Sequence, residues 1–216
     1  MSYDLVIFDC DGVLVDSEPI ANRVDAGQLA SIGLKLSPEE IMRKFLGRTK
    51  EGVIALAAEM LGRDLPEGFV ERWDAALMEA LGNEVRAIEG VAEAIRALRI
   101  PFCAASNSTP GRLRLSLRTS GLLPLFEGRM FSAEEVAHPK PAPDLFLHAA
   151  KTLGAEPSRC VVIEDTPTGA RAATAAGMTV LGYAGAAHAD RAALAREGAR
   201  VFDDMKNLAA LIGETA

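Results

Sequence analysis

The run Cys160-Val161-Val162-Ile163-Glu164 constrains this chain most. It is short, continuous and largely β-branched, so it suits a strand buried on both faces rather than a helix. A second such run, Leu5-Val6-Ile7-Phe8, is bounded by acids and followed by glycine. Weaker strand patterns lie near 101–106, 129–132, 179–183 and 200–202. Helical patterns fall between them, near 91–99, 111–119, 143–153 (stopped by Gly154), 168–176 (stopped by Gly177) and 205–212. Strands alternating with helices predict an α/β fold, a Rossmann-like, doubly wound parallel sheet covered on both faces.

One block breaks the alternation. From Ser17 to about residue 81 apolar residues recur at helical spacing, as in Val53, Leu56, Ala57, Met60 and Leu61. Ser37-Pro38-Glu39-Glu40 reads as an N-cap, a proline at the first helical position and acids in the first turn. Three or four helices are expected there and no strong strand. The expected organisation is a core of residues 1–16 and 88–216 with a small helical domain, 17–87, inserted after the first strand. Phe69 and Trp73, at helical spacing, are expected to pack that domain rather than bind a ligand.

Bulk properties exclude several classes. The chain has 216 residues, 49% of them hydrophobic, enough for a buried core without disulfides. The net charge of −7 and the lack of a basic stripe argue against nucleic acid. No apolar run is long enough to span a bilayer. Cys10, Cys103 and Cys160 lie in strand-like apolar runs with no metal-ligand spacing, so buried thiols in a reducing compartment are expected. Charge comes too early at the start for a secretory leader. A cytoplasmic monomer or weak homodimer is expected.

In open α/β sheets the chemistry lies at the carboxyl ends of the strands. The first strand ends in Asp9-Cys10-Asp11-Gly12. Extended backbone would put Asp9 and Asp11 on one face. Two such carboxylates invite a divalent cation, or one attacks while the other exchanges protons. The next major strand ends in Ser106-Asn107-Ser108, whose hydroxyl, amide and loop N–H groups can bind phosphate oxygens. Lys140 lies in a proline-stiffened loop, Pro139-Lys140-Pro141-Ala142-Pro143-Asp144, where it can neutralise transferring charge. Glu164-Asp165 closes a buried strand, where acids need a partner such as a metal shared with Asp9 and Asp11.

Acid pair, phosphate donors, lysine and second acid pair come in that order at successive strand ends. This set resembles the haloacid dehalogenase (HAD) superfamily over nearly the whole chain. Asp9-Cys10-Asp11-Gly12-Val13-Leu14-Val15-Asp16-Ser17-Glu18 is similar to its first motif, Ser106 to its second, Lys140 to its third and Glu164-Asp165 to its fourth. The insert resembles the helical cap of the subgroup containing β-phosphoglucomutase and many small phosphatases. The resemblance implies a phosphatase of small phosphorylated metabolites. Asp9 would be the nucleophile and form an aspartyl-phosphate, with Asp11 as acid and base. Mg2+ would be held by Asp9, the Asp11 carbonyl and Asp165, with Glu164 bound directly or through water. Ser106, Asn107 and Lys140 would hold the phosphoryl oxygens. Asp16, Ser17, Glu18, Asn22, Arg23, Arg48 and Lys50 would be candidate substrate contacts.

Asp11 argues against dehalogenation, since dehalogenases of the superfamily lack an acid two residues after the nucleophile. The mutases carry a histidine twelve residues after it, where this chain has Ala21. Water is therefore favoured over a sugar hydroxyl as acceptor, with a phosphosugar mutase as the rival reading. A binding protein on a retired enzyme fold would have lost a motif residue, and none is lost. The acid-pair stretch, Ser37 to Glu40 and Ala87-Ile88-Glu89-Gly90 look most like sugar-phosphate and phosphogluconate phosphatases.

Overall fold

A computed structural model describes residues 3–45, 50–186 and 189–213, with the side chains of 38, 39, 42, 43, 50 and 51 outside that description. Strand β1 (Leu5–Phe8) is followed by four helices: α1 (Glu18–Ser31), α2 (Pro38–Phe45), α3 (Lys50–Leu61) and α4 (Phe69–Glu84). Alternation then begins: α5 (Val91–Ala97), β2 (Phe102–Ser106), α6 (Pro110–Thr119), α7 (Leu123–Phe126), β3 (Met130–Ser132), α8 (Asp144–Thr152) and β4 (Cys160–Glu164). It continues through α9 (Pro167–Ala175), β5 (Thr179–Tyr183), α10 (Arg191–Arg196), β6 (Arg200–Phe202) and α11 (Leu208–Ile212). Two short helices, α7 and α10, were not expected. Each spans six residues or fewer, too little for a helical period to show.

The six strands form one parallel sheet in the order β3-β2-β1-β4-β5-β6. This is the doubly wound α/β sheet that the alternating pattern implies. From β1 the chain builds outward to β2 and β3, then returns to the other side of β1 for β4 to β6. The order therefore reverses at β1, which places the crevice at the carboxyl ends of β1, β2 and β4.

Strand alternation sorts the core into two layers. On one face Leu5 and Ile7 of β1, Cys103 and Ala105 of β2 and Cys160 and Val162 of β4 join one apolar cluster. Leu145, Phe146, Ala149 and Ala150 of α8 and the alanines of α9 cover it. The small alanines let α9 lie close to the sheet. Phe8, pointing the other way, meets Phe102 and Phe126 edge to face, with centroids 6.4 and 6.2 Å away. All three cysteines are free and buried, as their apolar setting indicated.

The chain divides into two compact units, Met1–Asp16 with Arg86–Ala216, and Ser17–Val85. The second unit has its own core of Leu29, Ile41, Phe45, Ala57, Phe69 and Trp73. The Trp73 indole donates to Asp25 Oδ1 at 2.8 Å, so this tryptophan packs with its one polar atom satisfied. Helix α2 begins with a capping box. Ser37 Oγ accepts from the Glu40 N–H at 3.2 Å, and Glu40 Oε2 accepts from the Ser37 N–H at 2.9 Å. Among the described residues, no helix is long and apolar enough to cross a membrane.

Candidate active site

The candidate chemistry gathers at the ends of β1, β2 and β4, within the first unit. Register accounts for it. Phe8 pairs with Ala104 of β2 and Ile163 of β4, so the next residue on each strand is Asp9, Ala105 and Glu164. Asp9 still donates its N–H into the ladder, to Ile163 O at 2.9 Å. The chain then turns: Leu14 and Val15 both donate to Cys10 O, and Gly12 sits at φ +84°, where a side chain would be strained.

Lys140 joins the three strand ends. Its Nζ donates to Asp9 Oδ1 at 2.6 Å, Glu164 Oε1 at 2.9 Å and Ala105 O at 2.9 Å. An ammonium has three protons, and each has an acceptor here. Nζ also lies 4.6 Å from the centroid of the Phe146 ring, a buried cation–π contact. The side chain is 3% exposed, so these acceptors, not water, carry its charge.

Asp9, Glu164 and Asp165 are all buried, with one carboxylate oxygen of each within 4.8 Å of the others. Lys140 binds two of these three acids, Asp9 and Glu164. Burial pushes the Asp9 carboxyl well above the usual carboxylate range; Glu164 and Asp165 add to this and Lys140 opposes it. Burial alone would pull the Lys140 ammonium down, but Asp9 and Glu164 outweigh it and hold the pKa above its ordinary value. The lysine is therefore charged, and Asp9 is the acid whose ionised form its surroundings disfavour. Burial, with Asp11 and Asp9, also pushes the Cys10 thiol well up, which leaves it protonated and inert.

Glu164 is fixed at both oxygens. Besides the lysine on Oε1, its Oε2 accepts from the N–H of Asp165 (3.0 Å), the N–H of Thr166 (2.9 Å) and Thr166 Oγ1 (2.9 Å). Gly169, in the first turn of α9, leaves the room: a Cβ there would lie 1.7 Å from Glu164 Oε1. Glu164 thus shapes the loop that presents Asp165.

Two residues differ from expectation. The Asp11 carboxylate is not in the three-acid cluster. It turns to the β2 end, where Oδ2 accepts from Ser108 Oγ at 2.8 Å and Oδ1 from Arg112 Nη2 at 3.2 Å. The chain turns at Cys10, whose carbonyl accepts from the Leu14 and Val15 N–H groups, so the extended alternation that put both acids on one face does not persist. Asn107 does not present its amide as a free phosphate ligand. Its Oδ1 accepts from the Lys140 N–H at 3.1 Å and its Nδ2 donates to Lys140 O at 3.2 Å, which clamps the lysine loop. Ser106 is buried, and its Oγ accepts from the Ser108 N–H at 3.0 Å.

Asp16 is exposed, Ser17 buried and Glu18 half-buried at the start of α1. Arg23 is bound by both oxygens of Glu84 at 2.7 Å, on the same unit. Arg48, the Lys50 side chain and His188 lie outside the described residues. His138 meets Asp144 at 2.9 Å, and His148 packs edge-on against Phe131, away from the cluster.

Sequence reasoning missed Arg112, Thr166 and Gly169, and named Ser108 only as part of a phosphate-binding strand end. One signal was available. Helix α6 carries Arg112 and no acid in its first turn, against the helix dipole, which suggests an anionic partner.

A family model of haloacid dehalogenase-like hydrolases matches residues 3–177. The chain belongs to that family. It is 31% identical over 186 residues to the 6-phosphogluconate phosphatase of Escherichia coli (strain K12), covering 86% of this chain and 84% of that protein. Among solved structures, a haloacid dehalogenase-like protein from Agrobacterium tumefaciens str. C58 superposes with a TM-score of 0.88 at 37% identity, over 99% of both chains. A HAD family hydrolase from Deinococcus radiodurans R1, solved with bound phosphate and sodium, gives 0.82 at 43% identity over 98% of this chain and 96% of that one.

Proposed function

We propose that this HAD-family hydrolase is a Mg2+-dependent phosphatase of a small phosphate monoester, a sugar or sugar-acid phosphate, working through an aspartyl-phosphate on Asp9. The observation that carries this reading is Lys140 bound to Asp9 and Glu164 beside Asp165, all buried at adjoining strand ends. Phosphoryl transfer demands placement of a nucleophile and neutralisation of charge, and little else from the protein.

The donor set fits a hard divalent cation. Asp9, Glu164 and Asp165 bring three carboxylate oxygens within 4.8 Å of one another, the oxygen ligands such an ion takes. We assign the ion to Asp9, Asp165 and the backbone carbonyl of Asp11, with Glu164 organising the loop around Asp165. When bound, it neutralises charge on the phosphoryl oxygens.

Asp9 attacks phosphorus as an ionised carboxylate, and Lys140, bound to Asp9 Oδ1, orients it. Asp11 gives a proton to the leaving oxygen, then takes one from the water that hydrolyses the intermediate. Ser106 and Lys140 hold phosphoryl oxygens, and Asn107 holds Lys140. The similarity to a 6-phosphogluconate phosphatase supports a phosphorylated sugar acid as substrate. The inserted helices are assigned to substrate choice, with Asp16, Ser17, Glu18 and Lys50 as the positions to vary.

The test is phosphate release from a panel of phosphogluconate, hexose and pentose phosphates, a nucleotide monophosphate and an aryl phosphate, with Mg2+ and with EDTA. Metal-dependent release from a few compounds is expected. Release from none, with interconversion of sugar 1- and 6-phosphates instead, would replace this reading with a mutase.

A further inference from the structure

Arg112 stands beside the acid–base aspartate without belonging to any of the four motifs. It occupies the first turn of α6, where Thr109 Oγ1 caps its backbone N–H at 3.3 Å and so fixes where the side chain starts. A cation there opposes the helix dipole. Its Nη2 reaches Asp11 Oδ1, while Ser108 Oγ reaches Asp11 Oδ2. Ser108 is itself held, since its carbonyl accepts from the buried Ser132 Oγ at 2.8 Å and its N–H donates to Ser106. Donors on both oxygens fix the plane and direction of the Asp11 carboxylate. The Asp11 and Arg112 side chains are 18% and 26% exposed, so solvent screens this pair less than one on an open surface.

We infer that Arg112 is a positioning residue for the second half of the reaction, in which Asp11 acts as base. This inference rests on the phosphatase reading above. In that half, a water oxygen attacks the phosphorus on Asp9 as Asp11 takes the water's proton. The bond from phosphorus to the Asp9 oxygen breaks, Asp9 returns to a carboxylate and inorganic phosphate departs. The proton left on Asp11 goes to the leaving oxygen of the next substrate. A carboxylate that accepts from Ser108 and Arg112 together has the orientation of an ionised base, so Arg112 serves hydrolysis of the intermediate rather than its formation.

The experiment compares the parent enzyme with Arg112→Met and Ser108→Ala, using p-nitrophenyl phosphate with Mg2+. This aryl leaving group departs without a proton, so formation of the intermediate bypasses Asp11. For Arg112→Met, kcat is expected to fall about 10- to 100-fold while kcat/KM stays within about 3-fold, a share of the range typical of general acid–base catalysis. Rapidly quenched Arg112→Met should carry the phosphoryl adduct in its intact mass. Arg112→Lys should recover part of kcat. Ser108→Ala, which keeps both backbone bonds of Ser108, should show the same split more weakly. A joint fall in kcat and kcat/KM without adduct would overturn the inference, as would parent-like kcat in both variants. A parent that releases no phosphate would instead sink the phosphatase reading itself.

Discussion

Gly169→Ala is the sharpest structural test of the site. The new methyl carbon would sit 1.7 Å from Glu164 Oε1, 2.0 Å from Cδ and 2.5 Å from Oε2. An ordinary contact would require the carboxylate to retreat by about 1.5 Å, which takes hydrogen bonds of about 2.9 Å beyond useful length. Four bonds are at stake: Lys140 Nζ, the N–H groups of Asp165 and Thr166, and Thr166 Oγ1. A free side chain would swing away, but this one is held on both oxygens. Breaking a buried ion pair costs about 3–5 kcal/mol. Alanine in a helix returns roughly 1 kcal/mol over glycine. The net loss is then about 2–4 kcal/mol, or roughly 5–15 °C in Tm for a domain of this size. Displacing the Asp165 loop by about 1 Å should also cost Mg2+-dependent turnover around 100-fold. Calorimetry and phosphate release read the two effects. Gly111→Ala is the matched control, since it lies in the first turn of α6 and its added Cβ would meet nothing within 4 Å. Equal behaviour of the two variants, both stable and active, would refute the placement of Glu164.

Three further outcomes are expected. Asp9→Asn should fold like the parent, because the amide removes an acid from an overcrowded acidic cluster, yet phosphate release should vanish; measurable hydrolysis by this variant contradicts the nucleophile assignment. Lys140→Met leaves Asp9 and Glu164 buried without their ammonium and should destabilise the core by about 3–5 kcal/mol, read by denaturant unfolding in EDTA. Mg2+ at 100-fold over its Kd should stabilise the folded chain by about 2.7 kcal/mol, and Asp165→Asn should lose most of that shift in a thermal melt; an unchanged shift would place the ion elsewhere.

The sequence declares what is local and periodic. Val161, Val162 and Ile163 mark a buried strand by composition alone, and β4, β5 and β6 fall on the expected residues. It also declares the acids and the lysine, because each follows an apolar run and strand ends are where such sheets do chemistry. It is silent on partners that depend on register across β1, β2 and β4. Nothing local joins Asn107 to the backbone of Lys140, 33 residues away, or Asp11 to Arg112, 101 residues away. Gly169 falls inside the helical pattern expected over 168–176, and nothing local marks it out. Only packing shows that its missing side chain is the space that Glu164 fills.

That dependence explains why strand ends and spacing found the acids without sorting them by role, which only the family resemblance did. Asp9 and Asp11 are two residues apart, chemically identical, and both follow the same strand. What separates them is the turn that begins at Cys10. It leaves Asp9 in the β4 ladder, facing Lys140 and two more acids, and delivers Asp11 to the donors at the end of β2. A buried aspartate crowded by acids needs added positive charge to ionise, and a metal ion supplies it where a phosphoryl group brings still more negative charge. An aspartate held by a serine and an arginine already has its charge satisfied and its direction set, which is what a group that exchanges protons requires. On the phosphatase reading proposed above, one bend in the backbone divides a pair of equivalent carboxylates into a metal-dependent nucleophile and an oriented proton carrier.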